Sequence, residues 1–422
     1  MSSDAFTYLF IAFLLATVAV RLWLASRQIR HVMRHRGAVP AEFADAIPLA
    51  AHQKAADYTV AKTRLKMGIV IVNAAVLMGF TLLGGLQWIS VHVLALTGPG
   101  MGYQLGLLAA FSIISGALEL PVEYYTQFVL EARFGFNKMT RRLFVLDHVK
   151  GAVLGAALGL PLAWVILSLM AKAGNLWWLY AWLVWCGVQL AALVLYPTLI
   201  APMFNKFSPL ADEALRERIE GLMARVGFAS KGLFVMDGSK RSAHGNAYFS
   251  GFGAGKRIVF FDTLLARLAP QEIEAVLAHE LGHFKLKHIV KRIVMLFAIS
   301  LAFLALLGYL KTQVWFYTGL GVEPLTSALL GTPNDAMALL LFMLVLPVFG
   351  FLFSPLTSIG SRKHEFEADA FAVRHSNGDD LVSALVKLYQ DNASTLTPDP
   401  LHSAFYDSHP PASVRISRLK TA

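Results

Sequence analysis

Residues 279–283 read His279-Glu280-Leu281-Gly282-His283, a spacing that can hold a metal ion and move a proton. On a helix, residues four apart share a face, so His279 and His283 can bind one zinc ion. Glu280 lies between them and can take a proton from a water that the metal activates. Together these suit peptide hydrolysis. The flanking sequence is helical, as that geometry requires. Pro270 suits a first turn, where its missing N–H costs nothing. Gln271, Glu272 and Glu274 follow and suit the positive end of the helix dipole. Ile273, Val276, Leu277 and Leu281 then form an apolar stripe of 3.6-residue period.

A catalytic zinc site takes three protein ligands and keeps one position open. The chain has one cysteine, Cys186, which excludes a cysteine cage and a disulfide framework. The third ligand is therefore a carboxylate or another histidine. Residues 361–371, Ser-Arg-Lys-His-Glu-Phe-Glu-Ala-Asp-Ala-Phe, offer both. Glu365 and Asp369 share a helix face, while Glu367 points elsewhere. The economical assignment makes Glu365 the ligand and Asp369 the partner that orients a zinc-bound imidazole. Spacing alone leaves open His364 as the ligand, and also a plain solvated helix start.

The elements that must position these residues lie mostly in lipid. Of 422 residues, 56% are hydrophobic and only 15% charged, and mean hydropathy is +0.56. Average soluble chains are nearer 25% charged. Seven apolar segments have bilayer-spanning length: 8–25, 67–93, 102–120, 151–170, 176–199, 289–310 and 336–354. The first has no basic leader and is followed by arginines, which fits an uncleaved span. The net charge of +10 is that of basic cytoplasmic loops, and no nucleic-acid partner is expected.

The expected fold is mainly α, a polytopic membrane protein with about seven transmembrane helices and a small α+β zinc-protease domain. Its parts are five transmembrane helices with basic cytoplasmic loops in 1–203, and a cytoplasmic α+β region in 204–288 that ends in the metal helix. The sixth and seventh transmembrane helices follow in 289–356, and a C-terminal cytoplasmic region with the third ligand in 357–422. Residues 212–226 read as an amphipathic helix; 233–237, 246–251 and 257–262 read as short strands. An edge strand beside the zinc helix could hold an extended peptide by main-chain hydrogen bonds. Arginine and lysine crowd the connections after the first, third, fifth and seventh segments, whereas Lys172 and Lys311 are the main exceptions in the others. The positive-inside rule then puts the metal helix on the cytoplasmic side.

Several motifs together resemble the type 1 CAAX prenyl proteases, integral-membrane zinc metallopeptidases that mature yeast a-factor and prelamin A. They are residues 131–138 (EARFGFNK), 200–207 (IAPMFNKF), 246–249 (NAYF), 276–283, 361–371 and 408–411 (SHPP). The resemblance spans most of the chain. It implies seven helices enclosing a water-filled chamber, and one zinc ion held by His279, His283 and Glu365, with Glu280 as catalytic base. It also implies that Asn246 lies near bound peptide and that His409 stabilises the oxyanion. The sequence departs from eukaryotic members at Gly245, often serine, and at Glu367, often glutamine. Its Ala/Leu-rich composition and the absence of a dilysine-type retention signal point to a bacterial member.

The expected partners are a peptide or protein substrate, with or without a C-terminal lipid, and the lipid bilayer. The expected location is a bacterial inner membrane, or the endoplasmic reticulum if the source is eukaryotic. An HtpX-type quality-control protease is the rival within the class, though such chains are shorter. A transporter with a structural metal is the rival outside it, but a structural zinc site is closed by four protein ligands. His288 is expected at the membrane interface, off the ligand face. Trp177, Trp178, Trp182 and Trp185 are expected to form an aromatic belt.

Overall fold

A computed structural model describes residues 1–250, 256–324 and 334–421. Among these, seven helices are long and apolar enough to cross a membrane. The first two are α1 (Ser3–His35) and α2 (Leu49–Phe80). A short apolar helix, α3 (Gly85–Thr97), separates them from α4 (Met101–Tyr125). Then follow α5 (Arg141–Lys172) and α6 (Trp177–Leu195).

The expected second span, 67–93, is not one helix. The chain turns after Phe80, and Gly84 adopts the left-handed conformation (φ 80°). Glycine enters that region without steric penalty, so the Gly84-Gly85 pair ends the run. The span is completed on its N-terminal side instead, and Lys54, Lys62, Arg64 and Lys66 ride on α2 rather than in a loop.

The region that follows α6 is built around a four-stranded sheet. Its strands are β1 (Phe207–Pro209), β2 (Leu233–Met236), β3 (Ala247–Ser250) and β4 (Arg257–Phe261), in the order β1-β2-β4-β3. β2 and β4 are parallel, and the two outer pairs are antiparallel. The expected strands are present, except that Gly251 lies outside the described residues; β1 was not anticipated. Helix α7 (Glu213–Arg225), capped by Asp212, packs Leu215, Ile219 and Leu222 on the sheet's Leu233, Ile258 and Phe260.

The same core takes in Ile273, Leu277 and Leu281 of α8 (Pro270–Lys285). Helix α9 (His288–Leu310) then crosses the membrane. The last span, Asp335–His375, consists of α10 (Asp335–Gly350), one 3-10 turn and α11 (Ser354–His375). The tail adds α12 (Gly378–Asp391), α13 (Pro400–Tyr406) and α14 (Ala412–Thr421).

The tryptophans of α6 also pack and hydrogen-bond within the protein. Trp177 is buried, and the Trp182 indole donates to the Phe297 carbonyl of α9 (2.9 Å). Trp178 packs against Gly308, where a Cβ would stand 3.0 Å from the indole.

Candidate metal centre

Helix α8 is anchored at its start by two buried carboxylates. Glu272 accepts from the Ala269 N–H, from Ser383 and from Lys387 of α12. Glu274 pairs with Arg218 (2.7 Å) and Arg225 (2.5 Å) of α7. The helix is therefore fixed to both flanking helices before it reaches its histidines.

Its other face meets α11 closely. A Cβ on Gly282 would lie 3.0 Å from the Phe371 Cβ and 3.1 Å from the Ala368 Cα. Only glycine lets two helix backbones approach so near without displacement. That approach brings Glu365 to the histidines. One nitrogen each of His279 and His283 and one oxygen of Glu365 all lie within 4.8 Å of one another. The Nε2 atoms of the two histidines are 3.2 Å apart. Glu365 Oε1 is 3.3 Å from His283 Nε2, and Oε2 is 3.6 Å from His279 Nε2.

These donors suit a zinc ion. Glu365 is buried, yet its Oε2 has no hydrogen-bond partner. A buried acceptor left unpaired is costly, and a cation between the three groups would satisfy it. Two imidazoles and a carboxylate are the donor set of open zinc sites in metallopeptidases.

The surroundings of the site hold its side chains in place. Asp369 Oδ1 lies 2.9 Å from His279 Nδ1 and is gripped by Arg415 through two bonds of 2.9 and 2.5 Å. Burial disfavours the charged imidazole of His279, but Asp369 and Glu365 outweigh it and raise the group's affinity for a proton. The same negative field favours a metal cation. Glu280 is half-buried and takes part in none of these bonds.

Two family models match the chain: "CAAX prenyl protease N-terminal, five membrane helices" over residues 28–206, and "Peptidase family M48" over residues 209–422. The chain belongs to peptidase family M48. It is similar to CAAX prenyl protease 1 homolog of Arabidopsis thaliana, at 40% identity over 75% of this chain and 73% of the relative. CAAX prenyl protease 1 of Saccharomyces cerevisiae is 36% identical over 81% and 76%, and the Homo sapiens homolog 31% over 98% and 95%. Among solved structures, the crystal structure of S. mikatae Ste24p matches with a TM-score of 0.91 at 31% identity, covering 98% of this chain and 99% of that one. This M48 member is therefore a multi-pass membrane metallopeptidase.

His409, on the loop before α14, places Nε2 3.7 Å from Glu365 Oε1, and its side chain is 61% exposed. Asn246 lies outside the His279, His283 and Glu365 group. It is exposed at the start of the edge strand β3 and lines a cavity of about 620 Å³ with His244, Tyr248, Arg241 and Asn392. His364 is not in the ligand set; it stacks on His288 at 4.0 Å.

Two contacts to the site went unread in the sequence. Arg415 lies 46 residues from Asp369, and nothing in chain spacing links the two. His288, read from the sequence as lying off the ligand face, is 1% exposed and lies 3.1 Å from His283, Nδ1 to Nδ1. Lys287 causes this by taking the left-handed conformation (φ 57°). The chain turns sharply there, and His288 points back to His283 instead of following the helix periodicity.

Proposed function

We propose that this chain is a zinc endopeptidase in which His279, His283 and Glu365 hold one zinc ion and Glu280 is the general base. The observation that carries the reading is the convergence of three ligand-capable atoms within 4.8 Å around a buried carboxylate oxygen that accepts no hydrogen bond. Zinc there would lower the pKa of a water toward neutrality and polarise a carbonyl. Glu280 accepts the proton of the attacking water and passes it to the leaving amine. His409, exposed and 3.7 Å from Glu365, donates to the developing oxyanion. Asp369 holds His279 in the tautomer that presents Nε2. An extended peptide pairs with β3, which is an edge strand among the described residues, and passes Asn246.

The relatives' names point to a substrate class: proteins ending in a CAAX box, with the prenyl group resting among the membrane helices. The metal side is proposed to face the cytoplasm. Basic residues gather on it, and the connections around Phe43, Phe136 and the tail pack together there.

The decisive experiment uses the purified protein and CAAX peptides with and without a prenyl group. Chelator-sensitive cleavage is expected, and Glu280→Ala should retain zinc while losing about 10²–10⁴-fold in rate. A Glu280→Ala protein that hydrolyses peptide normally would sink the mechanism.

A further inference from the structure

Beyond the ligands, His288, His364 and Glu367 also bring ligand-capable atoms within 4.8 Å of one another. They lie against the first site, since His288 Nδ1 is 3.1 Å from His283 Nδ1 and His288 Nε2 is 2.9 Å from Glu367 Oε2. Placing the protons decides what this cluster does. His283 points Nε2 toward His279 and Glu365, so Nε2 must keep its lone pair for a metal. A neutral imidazole carries one proton, which then sits on Nδ1. His283 Nδ1–H donates, and His288 Nδ1 must accept. The proton of His288 is therefore on Nε2, and it donates to Glu367.

Each proton is placed once and each acceptor is used. His288 then has no lone pair left for a second cation, so the two clusters cannot both be metal sites. We propose that His288 and Glu367 form a relay that fixes the ring of His283 and strengthens its hold on the metal. The proposal rests on the reading of His279, His283 and Glu365 as ligands.

The relay mirrors the support of the other histidine. His279 is oriented directly by a carboxylate, Asp369, which Arg415 pins. His283 is oriented by a carboxylate at one remove. The intervening ring is held rigidly: His288 is buried, and His364 covers its face in a near-parallel stack (12°). Glu367 is the outer end, with its side chain 37% exposed and Lys363 3.9 Å away. His288, His364 and Glu367 are positioning residues, not catalytic ones.

The test is zinc affinity, read by chelator competition on the full-length protein in detergent, with metal content by elemental analysis. Wild type is expected to bind one zinc per chain. His288→Phe keeps the ring and the stack but not the nitrogens, and should weaken zinc about 10–100-fold. His288→Asn puts an amide oxygen near the Nδ1 position, and should recover most of that loss. Glu367→Ala should weaken zinc severalfold. Glu367→Gln, whose carbonyl still accepts from His288, should stay close to wild type. Cobalt-substituted protein should show a changed visible spectrum in His288→Phe and not in Glu367→Gln.

Unchanged zinc affinity in both His288→Phe and Glu367→Ala overturns the relay. So does a second zinc that His288→Phe removes. If His288→Phe fails to fold, the Glu367 pair decides, because that residue lies at the surface end. A wild-type protein with no zinc refutes the ligand reading instead; one zinc with indifferent variants refutes only the relay.

Discussion

At the scale of single residues, reach distinguishes the proposed ligands from their helpers. His279, His283 and Glu365 are fixed on helices, whereas His409 sits on a loop with most of its side chain in solvent. A residue so placed can move toward a substrate oxygen without disturbing the ligands. His409→Ala is accordingly expected to lower kcat about 10²–10³-fold, as loss of an oxyanion donor does. Zinc content and KM should change little. A parallel loss of zinc would show His409 to be structural. His279 and His283 could be read from the sequence because four-residue spacing puts them on one helix face; Glu365, on another helix, is one of two donors that spacing leaves open until the family resemblance chooses it. Arg415 and His288 could not, because the first acts across a tertiary contact and the second depends on the turn at Lys287.

At the scale of elements, the site is a junction between α8 and α11, and Gly282 sets its width. With α8 tied to α7 and α12 through Glu274 and Glu272, it is α11 that must shift when the contact is overfilled. The methyl of Gly282→Ala would meet Ala368 backbone at 3.1 and 3.2 Å, which cannot rotate away. The expected cost is about 1–3 kcal/mol, typical of overpacking. Because Glu365 rides on α11, the variant should also bind zinc more weakly, seen as a lower melting temperature together with easier loss to chelator. An unaltered zinc affinity would mean that α11 does not carry Glu365 with it. The helix periods were plain in the sequence, but the end of the second span was not. An unbroken apolar run hides the break that Gly84-Gly85 makes.

At the scale of the whole molecule, the first helix is tied to the last segment of chain. Arg27 of α1 makes two bonds to Asp399 (3.3 and 3.0 Å), and Gln28 accepts from the Asp399 N–H. Asp399 caps α13 and leads into the segment that carries His409 and Arg415. The N-terminal span thus steadies a site more than 240 residues away in sequence, a distance that follows from His279 and α1. Burial alone would raise the Asp399 carboxyl, but Arg27 and the His402 N–H hold it below its ordinary value. Glu272 is held low in the same sense, against burial, by Lys387 and Ser383. A carboxylate lowered in the fold adds stability that is fully present above its unfolded value, near 4, and is lost as pH falls through the folded value. Melting temperature in detergent should therefore drop further as pH falls below about 4, the part of the acid loss that these two carboxylates contribute. Arg27 is more than a third exposed, so Arg27→Ala should cost only about 1 kcal/mol at neutral pH. It should also shrink the acid-dependent drop, because Asp399 then titrates nearer its unfolded value. If Arg27→Ala melts like wild type at neutral pH and drops as steeply in acid, the two ends of the chain are not coupled through this pair.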